Sequence, residues 1–241
     1  MAVVLVTGGN RGIGAACVRW FLDNGDQVAT TYRSADPPPV PEGGDAARFL
    51  AVRCDVTDTA QIEAAFASIE SAWGPVEVLV ANAGITRDGL LLRMSEDAFT
   101  QVIDANLTGS FRVAKRAVAK MLRLHTGRII FLSSVSAYVG LPGQANYAAS
   151  KAGLVGMARA IAREVGSRQI TVNVVAPGLV ATDMTDALGE DRVTQMTTQV
   201  PLGRIGTAED IAGVVGFLAS PAAGYITGAV LPVDGGLGMG L

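Results

Sequence analysis

The sequence predicts an α/β fold, a single-domain, doubly wound parallel sheet of about seven strands with helices on both faces. Three observations predict it. Short, continuously apolar runs recur along the chain, each bounded by Gly or Asp and most separated from the next by a stretch of helical character. Hydrophobic residues make up 49% of the chain and charged residues 17%, the balance of a sheet buried on both faces. The first apolar run passes directly into a glycine-rich turn inside which a helix begins.

The runs are Val3–Val6, Gln27–Tyr32, Arg48–Cys54, Val76–Ala81, Arg128–Ser133, Thr171–Val175 and Ala229–Val233, and their unbroken hydrophobicity marks buried strands. Helical stretches cover Ile13–Asn24, Asp58–Trp73, Ser95–Leu124, Tyr147–Val165 and Ala208–Leu218. Asp58, with Gln61 three residues on, reads as an N-cap and its partner in the first turn. Strand-helix alternation of this kind requires right-handed crossovers between parallel strands, and the length suits one domain spanning residues 1–241.

Two segments break the rhythm. "SADPPPVPEGG" (Ser34–Gly44) is too proline-rich for a helix and leads at once into strand-like sequence, so it reads as a surface excursion. Ala181–Arg204 is polar, rich in Met and Thr, and follows a strand; a lid over a neighbouring site and an ordinary surface helix both fit it.

Net charge is −3, which gives no basic field for a nucleic-acid backbone or an anionic membrane. Cys17 and Cys54 lie in apolar surroundings outside any C-x-x-C spacing, and His125 is the sole histidine, so no metal site is expected. Two buried thiols suit a reducing compartment. The chain opens straight into "VVLV" with no basic segment before it, and no apolar run approaches 18 residues. The expectation is a soluble, cytoplasmic protein.

In "TGGNRGIG" (Thr7–Gly14), glycines at 8, 12 and 14 let the backbone turn sharply, admit a pyrophosphate and pack the helix against its strand. The spacing is a variant of the G-x-G-x-x-G dinucleotide fingerprint. Where an enzyme using NADH offers a carboxylate to the ribose, the second strand ends in "TYRS". Arg33 stands there and Arg11 projects from the glycine turn, so two guanidiniums are available to a 2′-phosphate, and NADPH is expected over NADH. Asp36 competes with this reading, as does an Arg33 that is merely solvated. In "NYAASKAG", Tyr147 and Lys151 lie four residues apart and share a helix face. They are either a solvated surface pair or a proton donor with a lysine that lowers its pKa towards neutral. Hydride transfer to a ketone needs such a donor, and neither a metal nor a histidine is at hand.

The motifs "TGGNRGIG", "CDV" (Cys54–Val56), "NAG" (Asn82–Gly84), "NLTG" (Asn106–Gly109), "SSVS" (Ser133–Ser136), "YAASK" (Tyr147–Lys151) and "APG" (Ala176–Gly178) together resemble the short-chain dehydrogenase/reductase family over nearly the whole chain. "NAGITRDGLLLRM", "TDMT" and "YITGAVLPVDGG" are most similar to its bacterial 3-oxoacyl-[acyl-carrier-protein] reductases. The resemblance implies a Rossmann-like fold and NADPH-dependent reduction of a 3-oxoacyl thioester in fatty acid biosynthesis. Acetoacetyl-CoA, a polyketide or another ketone stands as the alternative substrate, and a non-catalytic nucleotide sensor as a rival class. The resemblance makes Tyr147 the acid, Ser134 the group that polarises the substrate oxygen, and Lys151 the holder of the nicotinamide ribose that lowers the tyrosine pKa. Asn106 would anchor a water linking Lys151 to solvent. Sequence physics alone does not choose Ser134 over Ser133 or Ser136.

Cofactor contacts implied in the same way are Gly8, Gly9, Asn10, Arg11, Gly12, Ile13, Gly14, Arg33, Asp55, Val56, Asn82, Ala83, Gly84, Tyr147, Lys151, Pro177, Gly178 and Val180. One departure stands out: many relatives carry a helix where this chain has the short Pro-rich span. The partner implied is an acidic acyl carrier protein, with CoA thioesters as substitutes. Arg123, Arg128 and Arg168 are docking candidates near the site entrance, and scattered solubilising charge explains them equally well. A homotetramer is expected, with the glycine-rich tail "PVDGGLGMGL" suited to a subunit contact.

Overall fold

A computed structural model describes residues 1–33, 36–182, 185 and 189–239. In chain order its elements are β1 (Val3–Val6), α1 (Gly12–Asp23), β2 (Gln27–Tyr32), β3 (Phe49–Arg53), α2 (Thr59–Trp73), β4 (Val78–Ala81), α3 (Glu96–Ile103), α4 (Gly109–Leu124), β5 (Gly127–Leu132), α5 (Ser136–Val139), α6 (Ala145–Val165), β6 (Ile170–Pro177), α7 (Glu190–Thr197), α8 (Ala208–Ala219) and β7 (Val230–Val233). All strand pairs are parallel, in the order β3-β2-β1-β4-β5-β6-β7. The seven expected strands are therefore present, most within a residue or two of the bounds read from the sequence.

Strand order reverses at β1, which pairs with β2 on one side and β4 on the other. A crevice opens at the carboxyl ends of the strands there, the general location of ligands in open α/β sheets. The strands alternate between two cores. Leu5, Leu79, Ile129 and Phe131 face α2, α4 and α6, whereas Val4, Val80, Ile130 and Leu132 face α1 and α8. Burial on both faces explains why these strands read as continuous apolar runs.

The helical run expected at Ser95–Leu124 is present, with a π-turn at Asp104–Thr108 inside it joining α3 to α4. At its centre Asn106 is fully buried: Oδ1 accepts the Ile85 N–H at 2.8 Å, while Nδ2 donates to Ile85 O at 3.0 Å and Ser150 Oγ at 3.1 Å. The Ser110 hydroxyl donates to the carbonyl of Asn106 at 2.6 Å, satisfying a main-chain group that the wider turn frees. Of the Pro-rich span, Ser34 and Ala35 lie outside the described residues, and residues 36–44 form no helix or strand. Within the candidate lid, residues 183, 184 and 186–188 lie outside the description, while α7 and the turn at Thr182 belong to it.

Candidate active site

β1 delivers Thr7 to the crevice, and the chain then turns through Gly8 (φ 66°) and Gly12 (φ 52°) into α1. These angles are open to glycine without steric cost. Neighbouring strands hold the turn in place. The Gly8 N–H donates to Thr31 Oγ1 at 3.0 Å, and Asn82 Nδ2 donates to the carbonyls of Thr7 and Gly8 at 3.0 Å each. Thr7 Oγ1 accepts the N–H groups of Asn82 and Ala83. "TGG" and "NAG" are thus one hydrogen-bonded unit spanning β1 and β4. Gly9 and Gly14 answer to packing: a Cβ at Gly9 would collide with Thr30 Oγ1, and one at Gly14 with Gly8 O and Asn82 Nδ2. Arg11 stands at the N-cap and its own side chain does not cap the first N–H groups of α1, an arrangement that suits an anion.

The next contacts lie at the ends of β2 and β3. Arg33, Arg53, Asp55 and Gln61 line a cavity of about 400 Å³. Asp55 Oδ1 accepts the N–H and hydroxyl of Thr57 at 2.9 and 2.7 Å, and the Asp55 N–H donates to Gln61 Oε1 at 3.0 Å. The expected cap at Asp58 is present, its carboxylate accepting the N–H groups of Ala60 and Gln61. Gln61 Nε2 donates to the same carboxylate at 2.9 Å. Val56 is buried against Gly109 rather than turned into the cavity, and Asp36 is exposed outside it. Arg53 went unread in the sequence because it closes an apolar run and looks like a solvated strand end.

β5 ends at the three serines that the sequence left unresolved, and the structure separates them. Ser133 is buried with its hydroxyl donating to the Lys151 carbonyl at 2.9 Å, and Ser136 is buried at the start of α5. Ser134 lies between them, its Oγ 3.2 Å from both the N–H and the Oγ of Ser136, and it is near enough to Tyr147 to favour the ionised phenol. Tyr147 and Lys151 share one face of α6, with Nζ 5.6 Å from the ring centroid. Gly84 completes the group, since a Cβ there would approach Asn106 Oδ1 to 3.0 Å and Lys151 Nζ to 3.6 Å. The space a side chain would fill in front of these residues is therefore kept clear.

Electrostatics run opposite to one expectation. Tyr147 is half-buried, and burial pushes the phenol up to about 12. The Ser134 hydrogen bond pulls it down by less, and the nearby Asp88 carboxylate adds to the rise. Lys151 Nζ donates to Leu132 O at 2.7 Å, and burial lowers its own value to about 8.

A further feature escaped the sequence reading. Three consecutive residues of the β4–α3 loop are tied to the segment leading into α6. Asn146 Nδ2 donates to Arg87 O at 2.8 Å, Gln144 Nε2 to Asp88 Oδ2 at 2.9 Å, and the Gly89 N–H to Gly143 O at 2.9 Å. The clasp fixes the N-terminal end of the helix that carries Tyr147. On the opposite flank, Val135 N–H donates to Pro177 O at 2.8 Å, and a Cβ at Gly178 would collide with Asp234. The bridge between Val180 and Gly206 closes that side. Asp234 folds the tail back, accepting the N–H groups of Gly236 and Gly238 at 2.9 and 2.7 Å.

The proposed docking arginines are not near this site. Arg123 ends α4, Arg128 begins β5 and Arg168 follows α6, all at the amino-terminal edge of the sheet, opposite Ser134 and Tyr147. There Arg168 contacts His125 Nε2 at 2.7 Å, and Arg128 donates to the carbonyls of Gly127 and Gln169. Among the described residues, no cluster of His, Cys, Asp or Glu could hold a metal, and no helix is long and apolar enough to cross a membrane.

A family model described as enoyl-(acyl carrier protein) reductase matches residues 8–238. The chain is 54% identical to the 3-oxoacyl-[acyl-carrier-protein] reductase MabA of Mycobacterium tuberculosis, over 98% of this chain and 93% of that protein. It is 51% identical to the MabA of Mycobacterium avium, with 98% and 90% covered, and 46% identical to the 3-oxoacyl-[acyl-carrier-protein] reductase FabG of Escherichia coli, with 98% and 97% covered. Identity at this level runs from the glycine turn to the folded tail, and the chain belongs to the short-chain dehydrogenase/reductase family.

Proposed function

We propose that this protein is an NADPH-dependent 3-oxoacyl-[acyl-carrier-protein] reductase of fatty acid biosynthesis, working in the cytoplasm as a homotetramer. Family membership implies a nicotinamide cofactor. The observation that carries the rest is the convergence of Ser134, Tyr147 and Lys151 beside the glycine turn, in a chain about half identical to proteins named for that reaction. The turn at Gly8–Gly14, the cavity at Arg33 and the cleared space at Gly84 fit pyrophosphate, adenosine and nicotinamide ribose respectively. When bound, the nicotinamide supplies a hydride to C3 of the oxoacyl group.

Tyr147 donates the proton to the substrate oxygen as the alkoxide forms, and the Ser134 hydroxyl, oriented by Ser136, bonds the same oxygen. Lys151 holds the ribose hydroxyls, and Asn106 is a positioning residue that ties the Ile85 loop to α6. Exposed Leu90, Leu91 and Leu92 follow the clasp directly and give this flank an apolar rim for an acyl chain. Apolar Phe111, Leu122 and Leu124 exposed on α4 suit a contact between subunits, which sedimentation equilibrium would detect as a fourfold mass.

The deciding assay is nucleotide oxidation with a 3-oxoacyl thioester on carrier protein, beside its CoA counterpart and a 2-enoyl thioester. Reduction of the 3-oxo substrate with the enoyl thioester untouched supports the reading. Enoyl reduction alone would return the chain to the activity that its family model describes. Arg33→Ala should raise the Michaelis constant for NADPH about tenfold or more while changing that for NADH little. Equal changes in both would sink the preference for NADPH.

A pH dependence follows from the two shifted groups. Tyr147, held up at about 12, stays protonated across the working range, whereas the Lys151 ammonium is lost above about pH 8. The rate of ketone reduction at subsaturating NADPH should be level below about pH 8 and fall above it. The fall is not unfolding. A buried lysine lowered from 10.5 to about 8 costs stability while it is charged, so its contribution becomes less unfavourable as pH rises through that window. A rate that climbs through pH 8 would contradict the role given to Lys151.

A further inference from the structure

We propose that Arg53 determines nucleotide specificity together with Arg33, the two guanidiniums forming a seat for a phosphomonoester at the carboxyl ends of β2 and β3. The inference rests on the reading that the chain uses a nicotinamide dinucleotide, and it names a residue that neither the glycine fingerprint nor the end of the second strand points to.

Tyr32 and Arg53 are partners in the parallel register of β2 and β3, so the Arg33 backbone lies at the same end of the sheet as Arg53. Both arginines line the cavity of about 400 Å³, and Arg53 Nε donates to the Arg33 carbonyl at 3.3 Å. That bond holds Arg53 against the strand end. Among the described residues neither guanidinium is paired with a carboxylate. The acid in the cavity, Asp55, is engaged by Thr57 instead.

Two cations that share a cavity with a single carboxylate leave positive charge uncompensated, and an anion between them offsets it. The lining carries one net positive charge from Arg33, Arg53 and Asp55, with Gln61 neutral. A phosphomonoester, with roughly −1.5 to −2 charges at neutral pH and three acceptor oxygens, matches two planar forks of donors. The seat lies one strand beyond the glycine turn, where the adenosine end of a dinucleotide laid across β1 and β2 comes to rest. The ligand chemistry is therefore the 2′-phosphate of an adenosine.

The test is calorimetric binding of NADPH, NADH, 2′,5′-ADP and inorganic phosphate to the wild-type protein, Arg33→Ala and Arg53→Ala. Arg53→Ala should weaken NADPH and 2′,5′-ADP about tenfold, leave NADH within about twofold, and flatten the salt dependence of NADPH binding. Inorganic phosphate should displace 2′,5′-ADP only at far higher concentration. A wild-type preference for NADPH that survives intact in Arg53→Ala overturns this inference alone. Wild-type protein that binds NADPH and NADH equally overturns the NADPH reading with it. Inorganic phosphate that competes as strongly as 2′,5′-ADP overturns the assignment to a nucleotide.

Discussion

Tyr147→Phe should lower the turnover of a 3-oxoacyl thioester by about 10²- to 10⁴-fold while leaving the dissociation constant of NADPH within about twofold. The substitution removes one oxygen and keeps the ring, so the contact with Lys151 Nζ, 5.6 Å from the ring centroid, persists. No neighbour can take over the proton transfer. The hydroxyl of Ser133 is committed to the Lys151 carbonyl, Ser134 has no ionisable proton near neutral pH, and the Lys151 ammonium is turned onto Leu132 O. Because burial holds the phenol near 12, Tyr147 is a weak acid that gives up its proton only to the basic alkoxide, not to the ketone at rest. Steady-state kinetics beside calorimetric titration with NADPH separate the two effects. Turnover within about tenfold of wild type would remove Tyr147 from the proton-donating role.

Gly14→Ala should cost about 1–3 kcal/mol or more and abolish most nucleotide binding. A methyl group there meets the Gly8 carbonyl, comes within 2.6 Å of Asn82 Nδ2 and within 2.9 Å of Gly9 Cα. Two of those neighbours are backbone of the same turn and the third is the side chain that fastens it, so nothing can give way without moving the first N–H groups of α1. For a chain of this length each kcal/mol lowers the melting temperature by about 2–4 °C. Gly213→Ala in α8 is the control, because a Cβ there meets nothing within 4 Å and the helix gains from the exchange. Its melting temperature should stay level or rise. Equal behaviour of the two variants would mean that the turn is not held as described.

The sheet, the glycine turn and the shared helix face of Tyr147 and Lys151 are legible in the amino-acid order alone. Strands buried on both faces have to be continuously apolar, a helix places residues four apart on one face, and a tight turn against a partner strand tolerates only glycine, so each leaves a local and periodic mark. The remaining features depend on groups distant in the chain, which meet only on folding. Ser133 and Ser134 are adjacent and chemically identical, and they part roles because one is committed to the Lys151 carbonyl while the other, bonded to Ser136, stands beside Tyr147. Asn106 opens a π-turn because Ile85 and Ser150 supply its partners. Lys151 points its ammonium onto Leu132 O, a carbonyl nineteen residues back in the chain, and burial lowers its pKa. Arg123, Arg128 and Arg168 sit far from the site because strand direction carries them to the other edge of the sheet. Arg53 joins Arg33 because β2 and β3 end together and both residues line the cavity at that end, a relation that no local pattern records.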